Sequence, residues 1–176
     1  MSDPITSDPA ILGRATLTVE MVIRLCTEAD LPALEWMGLY RPHRSIIRAT
    51  FKAQQRGDAL MLLGLTGGFP VGQVWVDLER GQTGKKTGQA TGRKTAYLWA
   101  VRSFHPLHGV GIGRHLMITA EQLLKERGIT HAELCVEQDN DNAQRFYEKL
   151  GWRFVVAHGA KVEEGPGLWL MAKDLR

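Results

Sequence analysis

A glycine-rich turn between a strand-like and a long helix-like segment constrains the fold most. Residues 95–103 are rich in aromatic and β-branched side chains, and Gly109, Gly111 and Gly113 follow at alternate positions. Apolar residues then recur at spacings of three and four to about residue 127, which predicts an amphipathic helix. Backbone N–H groups at a helix start have no intrahelical partner, and glycine lets the backbone approach an anion closely. The turn therefore indicates a pyrophosphate-bearing cofactor, with a tight connection that binds nothing as the alternative.

Two other glycine signatures do not fit this turn. A dinucleotide-binding fold needs G-x-G-x-x-G straight after the strand, whereas Arg114 stands at the last glycine position and five residues separate Ser103 from Gly109. A phosphate loop of the Walker type needs Gly-Lys-Ser/Thr, which does not follow. The cofactor is therefore expected to be neither a Rossmann dinucleotide nor a Walker-bound nucleotide.

The remaining pattern predicts a mixed α/β domain. Strands are expected at 19–25, 58–65, 71–78, 95–103, 131–136, 153–156 and 168–172, and helices at 33–38, 43–55, 140–150 and after the glycine turn. Early hairpins and a central βα crossover favour a mixed sheet with helices on both faces. We interpret residues 1–17 as a flexible leader and residues 18–176 as one domain.

The positive charge of the chain is local. The 22 basic and 19 acidic residues give a formal charge of +3, but five basic residues and no acid lie in residues 80–94. The rest of the chain therefore holds 17 basic and 19 acidic residues. No aromatic residue stands among these basic residues to stack on bases, so we favour a solvated connection over a nucleic-acid site.

Cysteine and histidine usage and hydropathy argue against several other classes of protein. Cys26 and Cys135 are too few for a disulfide framework and match no zinc spacing. His105, His108 and His115 lack the supporting acid or cysteine of a metal site. The chain has neither a run of 18 apolar residues nor the charged and apolar regions of a signal peptide. We expect a reduced, cytoplasmic protein without a metal or a membrane span.

A second motif identifies the chain more sharply. Residues 136–152 read VEQDNDNAQRFYEKLGW, and from Asn140 to Trp152 they match the pattern Asn-x-x-Ala-x-x-Phe-Tyr-x-x-Leu-Gly-aromatic. This pattern resembles that of the GNAT superfamily of N-acetyltransferases. The pyrophosphate loop of that family, Arg/Gln-x-x-Gly-x-Gly/Ala, aligns with residues 108–113, with His108 in place of the family's Arg or Gln. The resemblance is strong over residues 95–156.

The resemblance implies a GNAT-like fold that binds acetyl-CoA. This fold has a mostly antiparallel mixed sheet of about seven strands, helices on both faces and a splayed cofactor-binding cleft. The N–H groups of Val110–Arg114 are expected to hold the pyrophosphate, the strand near Val101 and Ser103 to pair with the pantetheine arm, and Asn140 to bind beside it. The implied cofactor contacts are Val101, Ser103, His108, Gly109, Val110, Gly111, Ile112, Gly113, Arg114, Asn140, Ala143 and Tyr147.

The implied reaction moves an acetyl group from acetyl-CoA to a primary amine by direct attack through a tetrahedral intermediate. Tyr147 is the expected proton donor to the departing thiolate, because a phenol with a pKa near ~10 keeps its proton at neutral pH. The oxyanion donor is expected to be the backbone N–H of Val101 or a neighbour, on a strand that bulges away from its partner.

The general base and the acceptor remain open. The strand 95–103 has no acid, so the candidate bases are Asp77, Glu79, Glu137, His105 and a water chain. The acceptor site of the family lies between the first helices and the last hairpin. That location implies Glu163 and Glu164 on one side and Tyr40, Arg41, His43 and Arg44 on the other, with a preference for an anionic group on the acceptor.

Small-molecule and peptide amines both fit as acceptors, and a homodimer is compatible with the pattern. The alternatives to a small-amine acetyltransferase are a non-catalytic CoA-binding regulatory domain and an acetyltransferase for a protein N-terminus or a ribosome-associated substrate. The presence of Tyr147 together with Asn140 favours an enzyme.

Overall fold

The computed structural model describes residues 18, 20–79, 94–104, 107, 109–157, 160–163, 165 and 167–175. The predicted leader, residues 80–93 of the basic segment, His105, His108 and Glu164 lie outside these residues. The elements within them are β1 (Val22–Leu25), α1 (Arg44–Arg56), β2 (Ala59–Thr66), β3 (Phe69–Asp77), β4 (Thr95–Ser103), α2 (Ile112–Glu126), β5 (His131–Glu137), α3 (Asp141–Lys149), β6 (Arg153–Phe154), β7 (Val156–Ala157), β8 (Ala160–Lys161) and β9 (Leu168–Asp174).

Seven of these strands form one mixed sheet in the order β1-β2-β3-β4-β5-β9-β6, and β7 and β8 form a separate hairpin. The pairing of β4 with β5 is parallel, and the other neighbouring pairs of the sheet are antiparallel. The connection between β4 and β5 runs through α2, as parallel pairing requires. This topology confirms the predicted fold class.

Two apolar cores lie on opposite faces of the sheet. Strand β2 contributes to both, because Leu60 and Leu62 pack with α2 and α3 while Met61 and Leu63 pack with α1. Alternate residues of a strand point to opposite faces, so a strand covered on both faces is apolar throughout. None of the helices in the described ranges combines the length and apolarity that a membrane span requires.

The predicted helix at residues 33–38 is wrong. The chain instead forms short 3-10 turns at Glu28–Asp30, Ala33–Glu35 and Arg41–His43. Trp36 and Met37 adopt left-handed backbone conformations, with φ of 42° and 59°. Trp36 is buried against Tyr40 and Phe104, with ring centroids 5.4 and 6.0 Å away, so tertiary packing overrides the local helical preference here.

Smaller differences concern strand boundaries. The predicted strand at 153–156 is divided into β6 and β7, and the short strand β8 was not predicted. The predicted first strand begins later than expected, at Val22.

Candidate active site

A cleft opens in the sheet where β4 and β5 separate. Their parallel pairing ends at Leu98 and Leu134, although the two strands continue to Ser103 and Glu137. The strands therefore diverge over their C-terminal halves. Such a gap presents backbone groups from both sides to an extended ligand, which could bind there as an added strand. The predicted residues Val101 and Ser103 lie on β4 along this gap.

A β-bulge lies beside the gap. In the pairing of β3 with β4, Trp75 faces Trp99 and Gln73 faces Arg102, so β4 carries one residue more than β3 between these pairs. Ala100 takes up this extra residue with a φ of +49°, which is strained for a residue with a Cβ. The bulge occurs at the position that the resemblance implies for the oxyanion donor.

Gln73 on β3 contacts the bulge through its side chain. The sequence analysis did not select it as a site residue. Its side chain is buried, and its Nε2 donates a hydrogen bond of 3.3 Å to the carbonyl oxygen of Ala100. The sequence signal is a single amide within the otherwise apolar centre of β3. A buried amide needs hydrogen-bond partners, and the bulged carbonyl supplies one.

The glycine turn leads directly into α2. Gly109 and Gly111 have φ values of 86° and 92°, a conformation that disfavours side chains, and Gly111 is the N-cap residue of α2. The first-turn N–H groups of α2 have no acceptor within the helix, and the positive end of the helix dipole lies behind them. Among the described residues, a Cβ on Gly111 would meet nothing closer than the His115 ring, at 3.8 Å, so these residues leave space above the turn.

Gly72 sets how closely α2 approaches the sheet, and it too was missed in the sequence. A Cβ placed on Gly72 would lie 2.5 Å from Cγ2 of Ile112 and 2.7 Å from Cδ1 of Leu116. The start of α2 therefore rests directly on the backbone of β3. This close contact places the glycine turn next to the end of β4.

Helix α3 begins at the end of β5, on the other side of the gap. Asn140 is its N-cap, and its Oδ1 accepts a 3.0 Å hydrogen bond from the backbone N–H of Ala143. The Nε2 of Gln144 donates to the carbonyl oxygens of Glu137 and Gln138, both at 3.0 Å. The hydrogen bond from Ala143 gives Asn140 a structural function as a helix cap. The two hydrogen bonds of Gln144 join the first turn of α3 to the end of β5.

Tyr147 lies on α3 in the same apolar cluster as Ile112 and Val136. Its ring is 8% exposed and contacts Phe146 and Trp152, with centroids at 5.2 and 6.3 Å. Burial raises the pKa of Tyr147 to about 12, because the phenolate would lose its hydration. The phenol is therefore fully protonated at neutral pH, the state that a proton donor needs.

The candidate bases lie at different ends of the sheet. Asp77 is in register with Tyr97, near the start of β4, and the backbone N–H of Glu79 donates to its carboxylate. Both acids thus lie at the opposite end of β4 from the gap. Glu137 ends β5 beside the gap and accepts a 3.4 Å hydrogen bond from Nδ2 of Asn140. His105 is outside the described residues.

The residues expected around the acceptor differ in the partners that they contact. Arg44 forms two hydrogen bonds with the carboxylate of Glu35 and lowers the pKa of that acid, so its charge is already balanced. Glu163 accepts hydrogen bonds from Gln138 and from the backbone N–H of Gly167, which fixes the turn before β9. Tyr40 contacts a different cation, Arg102, which the sequence analysis did not select.

A search of curated proteins found no match to this sequence. The model of the acetyltransferase (GNAT) family matches residues 24–152. Among solved structures, the PaiA N-acetyltransferase of Thermoplasma acidophilum, in complex with coenzyme A, is similar at 19% identity with a TM-score of 0.66, over 88% of this chain and 99% of that one. The NAA60 protein of Arabidopsis thaliana, in complex with acetyl-CoA, is similar at 16% identity with a TM-score of 0.67, over 89% of this chain and 99% of that one.

A third similar structure is RimL, a ribosomal L7/L12 alpha-N-protein acetyltransferase, at 17% identity with a TM-score of 0.64, over 88% of this chain and 93% of that one. At these identities the structures support the fold, while the family model matches most of the chain, from β1 to the end of α3. The chain therefore belongs to the GNAT family of acetyltransferases and is an acyltransferase that uses acetyl-CoA.

Proposed function

We propose that this chain transfers the acetyl group of acetyl-CoA to a primary amine by direct attack of the amine. The observation that carries the proposal is the open β4–β5 gap with a strained bulge at Ala100 on β4. The buried, protonated phenol of Tyr147, on the helix that follows β5, supports its assignment as the proton donor. A domain that only bound CoA would need the gap and the glycine turn but neither the strained bulge nor a buried phenol.

The residues present fit acetyl-CoA. The first-turn N–H groups of Val110–Arg114 would hold the pyrophosphate, because the turn is open and left-handed at Gly111. The backbone of Val101 and Ser103 would pair with the pantetheine arm, and Asn140 and Ala143 would contact it from the start of α3. Acetyl-CoA supplies a thioester, which is an activated acyl group.

The chain's own groups then act on charge and protons. The bulged backbone at Ala100 and Val101 would direct an N–H at the negative charge that develops on the carbonyl oxygen. Tyr147 would donate its proton to the departing sulfur. The amine must lose a proton before it attacks, and of the described candidate bases Glu137 is the one placed beside the gap.

The proposal is tested by release of free CoA from acetyl-CoA with a panel of small amines and peptides that have free N-termini. We expect release with at least one acceptor, and formation of an acetylated amine by mass spectrometry. Tight binding of acetyl-CoA without release to any acceptor would instead support the regulatory domain.

A variant locates the cofactor in the same assay. Gly111→Glu places a strained side chain and a negative charge in the glycine turn, so binding of acetyl-CoA in calorimetry should be abolished. Gly57→Glu is the matched control, because Gly57 is also left-handed and open but lies at the end of α1. Equal affinity of Gly111→Glu and the wild type for acetyl-CoA would show that the pyrophosphate does not bind at this turn.

A further inference from the structure

A cation that has no acidic partner among the described residues lies next to the bulge. Arg102 follows Ala100 by two residues on β4 and is half-buried, with its guanidinium carbon 4.4 Å from the ring centroid of Tyr40. Within the described part of the chain, no carboxylate pairs with it. Arg24, Arg44 and Arg56, in contrast, each bind an acid. A partly desolvated cation of this kind is suited to an external anion.

The guanidinium of Arg102 lies on the face of the sheet away from the glycine turn. Arg102 is in register with Gln73, and Trp99 with Trp75, so these four side chains share one face. Trp75 packs in the core under α1, whereas Val101 packs against the core under α2. An anion at Arg102 would therefore be a different group from the pyrophosphate that α2 would hold.

A second observation concerns Trp36, which packs against Tyr40. The indole of Trp36 is 3% exposed, and no acceptor in the described ranges reaches its Nε1. A buried donor without a partner costs free energy, and Trp75 on β3 has a second buried indole N–H for which the described residues supply no partner. The rings of Trp36 and Tyr40 meet edge to face at 5.4 Å, so Trp36 packs against the same ring that Arg102 covers.

The backbone around Trp36 is held in a costly conformation. Trp36, Met37 and Gly38 are all left-handed, with φ of 42°, 59° and 90°. Left-handed conformations of residues with a Cβ persist only where the surroundings impose them, and they are common at ligand clamps. Contacts of Trp36 with Tyr40 and Phe104 provide that constraint here.

We propose that Arg102, held against the Tyr40 ring that Trp36 supports, recognises a carboxylate on the acceptor, so that the acceptor is a small primary amine that also carries a carboxylate. This inference rests on the proposed function and names its substrate class. A guanidinium offers two parallel N–H groups that match a carboxylate, and its single charge balances one negative charge. Two strand residues span about 7 Å, so the bulge and Arg102 lie within reach of one small molecule.

The test compares matched acceptors in the CoA-release assay on the full chain. For each of a panel of amino acids, the free acid, its carboxamide and its aminophosphonate analogue are assayed at saturating acetyl-CoA. We expect kcat/KM to favour the free acid over the carboxamide by about 10- to 100-fold, the range of a charge-assisted hydrogen-bonded pair. Arg102→Gln should remove this preference through a higher KM for the acid, with a much smaller change in kcat/KM for the carboxamide.

Two further variants separate recognition from structure and from net charge. Arg102→Lys keeps the charge but loses the planar pair of donors, so it should retain part of the preference. Arg48→Gln removes one exposed charge from α1 and should change neither kinetic constant. Acetyl-CoA affinity in calorimetry should be equal in all variants, and this equality also verifies that each variant is folded.

Each outcome decides the inference. Equal use of acid and carboxamide by the wild type would overturn it, as would an Arg102→Gln variant that loses both activities to the same degree. A preference for the aminophosphonate would refute the carboxylate as the recognised group. The absence of CoA release with any acceptor would contradict the proposed function itself, and the inference with it.

Discussion

Gly72 offers the sharpest test of how the fold supports the cofactor site. The methyl group of Gly72→Ala would lie 2.5 Å from Cγ2 of Ile112 and 3.3 Å from the carbonyl oxygen of Arg102. Cγ2 is bonded directly to Cβ, and a β-branched residue in a helix has one strongly preferred χ1 rotamer, so the Ile112 side chain cannot rotate away cheaply. The start of α2 must therefore move off β3.

The magnitude follows from overpacking. Added methyl groups in a well-packed core cost about 1–3 kcal/mol, and in a protein of this size each kcal/mol lowers Tm by about 2–4 °C. The same displacement moves the glycine turn relative to β4 and so weakens the binding of acetyl-CoA. Each 1.4 kcal/mol lost from the binding free energy lowers the affinity about tenfold. We expect Gly72→Ala to lower both Tm in thermal unfolding and affinity in calorimetry.

Gly64→Ala is the matched control. Gly64 faces Gly72 on the neighbouring strand β2, but its added methyl group meets the flexible Sδ of Met21 at 2.9 Å, and Cδ2 of Leu116 on α2 lies at an ordinary contact distance of 3.7 Å. The control should therefore lose less stability and keep its acetyl-CoA affinity. A Gly72→Ala variant with the Tm and the affinity of the wild type would refute the close contact of α2 with β3.

Three other variants test separate parts of the molecule. Tyr147→Phe should lower kcat by roughly 10²-fold with acetyl-CoA affinity intact, since it removes only the hydroxyl that we propose as the proton donor, and a fully active variant would assign protonation to another group. Glu121→Gln should cost about 1–3 kcal/mol in urea unfolding, because buried Glu121 pairs with the partly exposed Lys173 and accepts from Trp152, and an amide oxygen makes only weaker hydrogen bonds to Lys173. Hydrogen bonds from Arg24 hold the pKa of Asp30 well below its ordinary range, so that stabilisation is present above the unfolded pKa of ~3.9 and is lost as the pH falls. Asp30→Asn should therefore lower the free energy of unfolding at neutral pH by about 1 kcal/mol, a small value because Arg24 is solvent-exposed. In acid unfolding the variant should match the wild type.

Local signals account for the parts of the fold that the sequence predicts correctly. The boundaries of β4 and the course of α2 follow from a β-rich segment, two left-handed glycines and an unbroken helical period. The start of α3 follows from an Asn cap within a specific motif. Each of these signals acts over a few residues, so the neighbouring sequence is sufficient to recognise it.

The errors have a long-range origin. Residues 33–38 have a helical pattern, but Trp36 is held in its left-handed conformation by Phe104, which is distant in sequence. In the sequence, Gln73 and Gly72 are ordinary residues of an apolar strand. The function of Gln73 depends on the bulge of β4, and that of Gly72 depends on α2. The sequence contains these residue types but not the contacts that give them their functions.

Arg102 shows why the bulge matters beyond its N–H group. In a regular strand, residues three apart lie on opposite faces, so Arg102 would point away from Trp99 and toward the core under α2. The extra residue at Ala100 inverts this alternation, and Arg102 shares the face of Trp99. One inserted residue thus turns the strand backbone toward the gap and turns a cation toward Tyr40, on the face opposite the glycine turn. Under the two proposals above, the same local distortion at Ala100 would serve both the stabilisation of the reacting carbonyl group and the recognition of the acceptor.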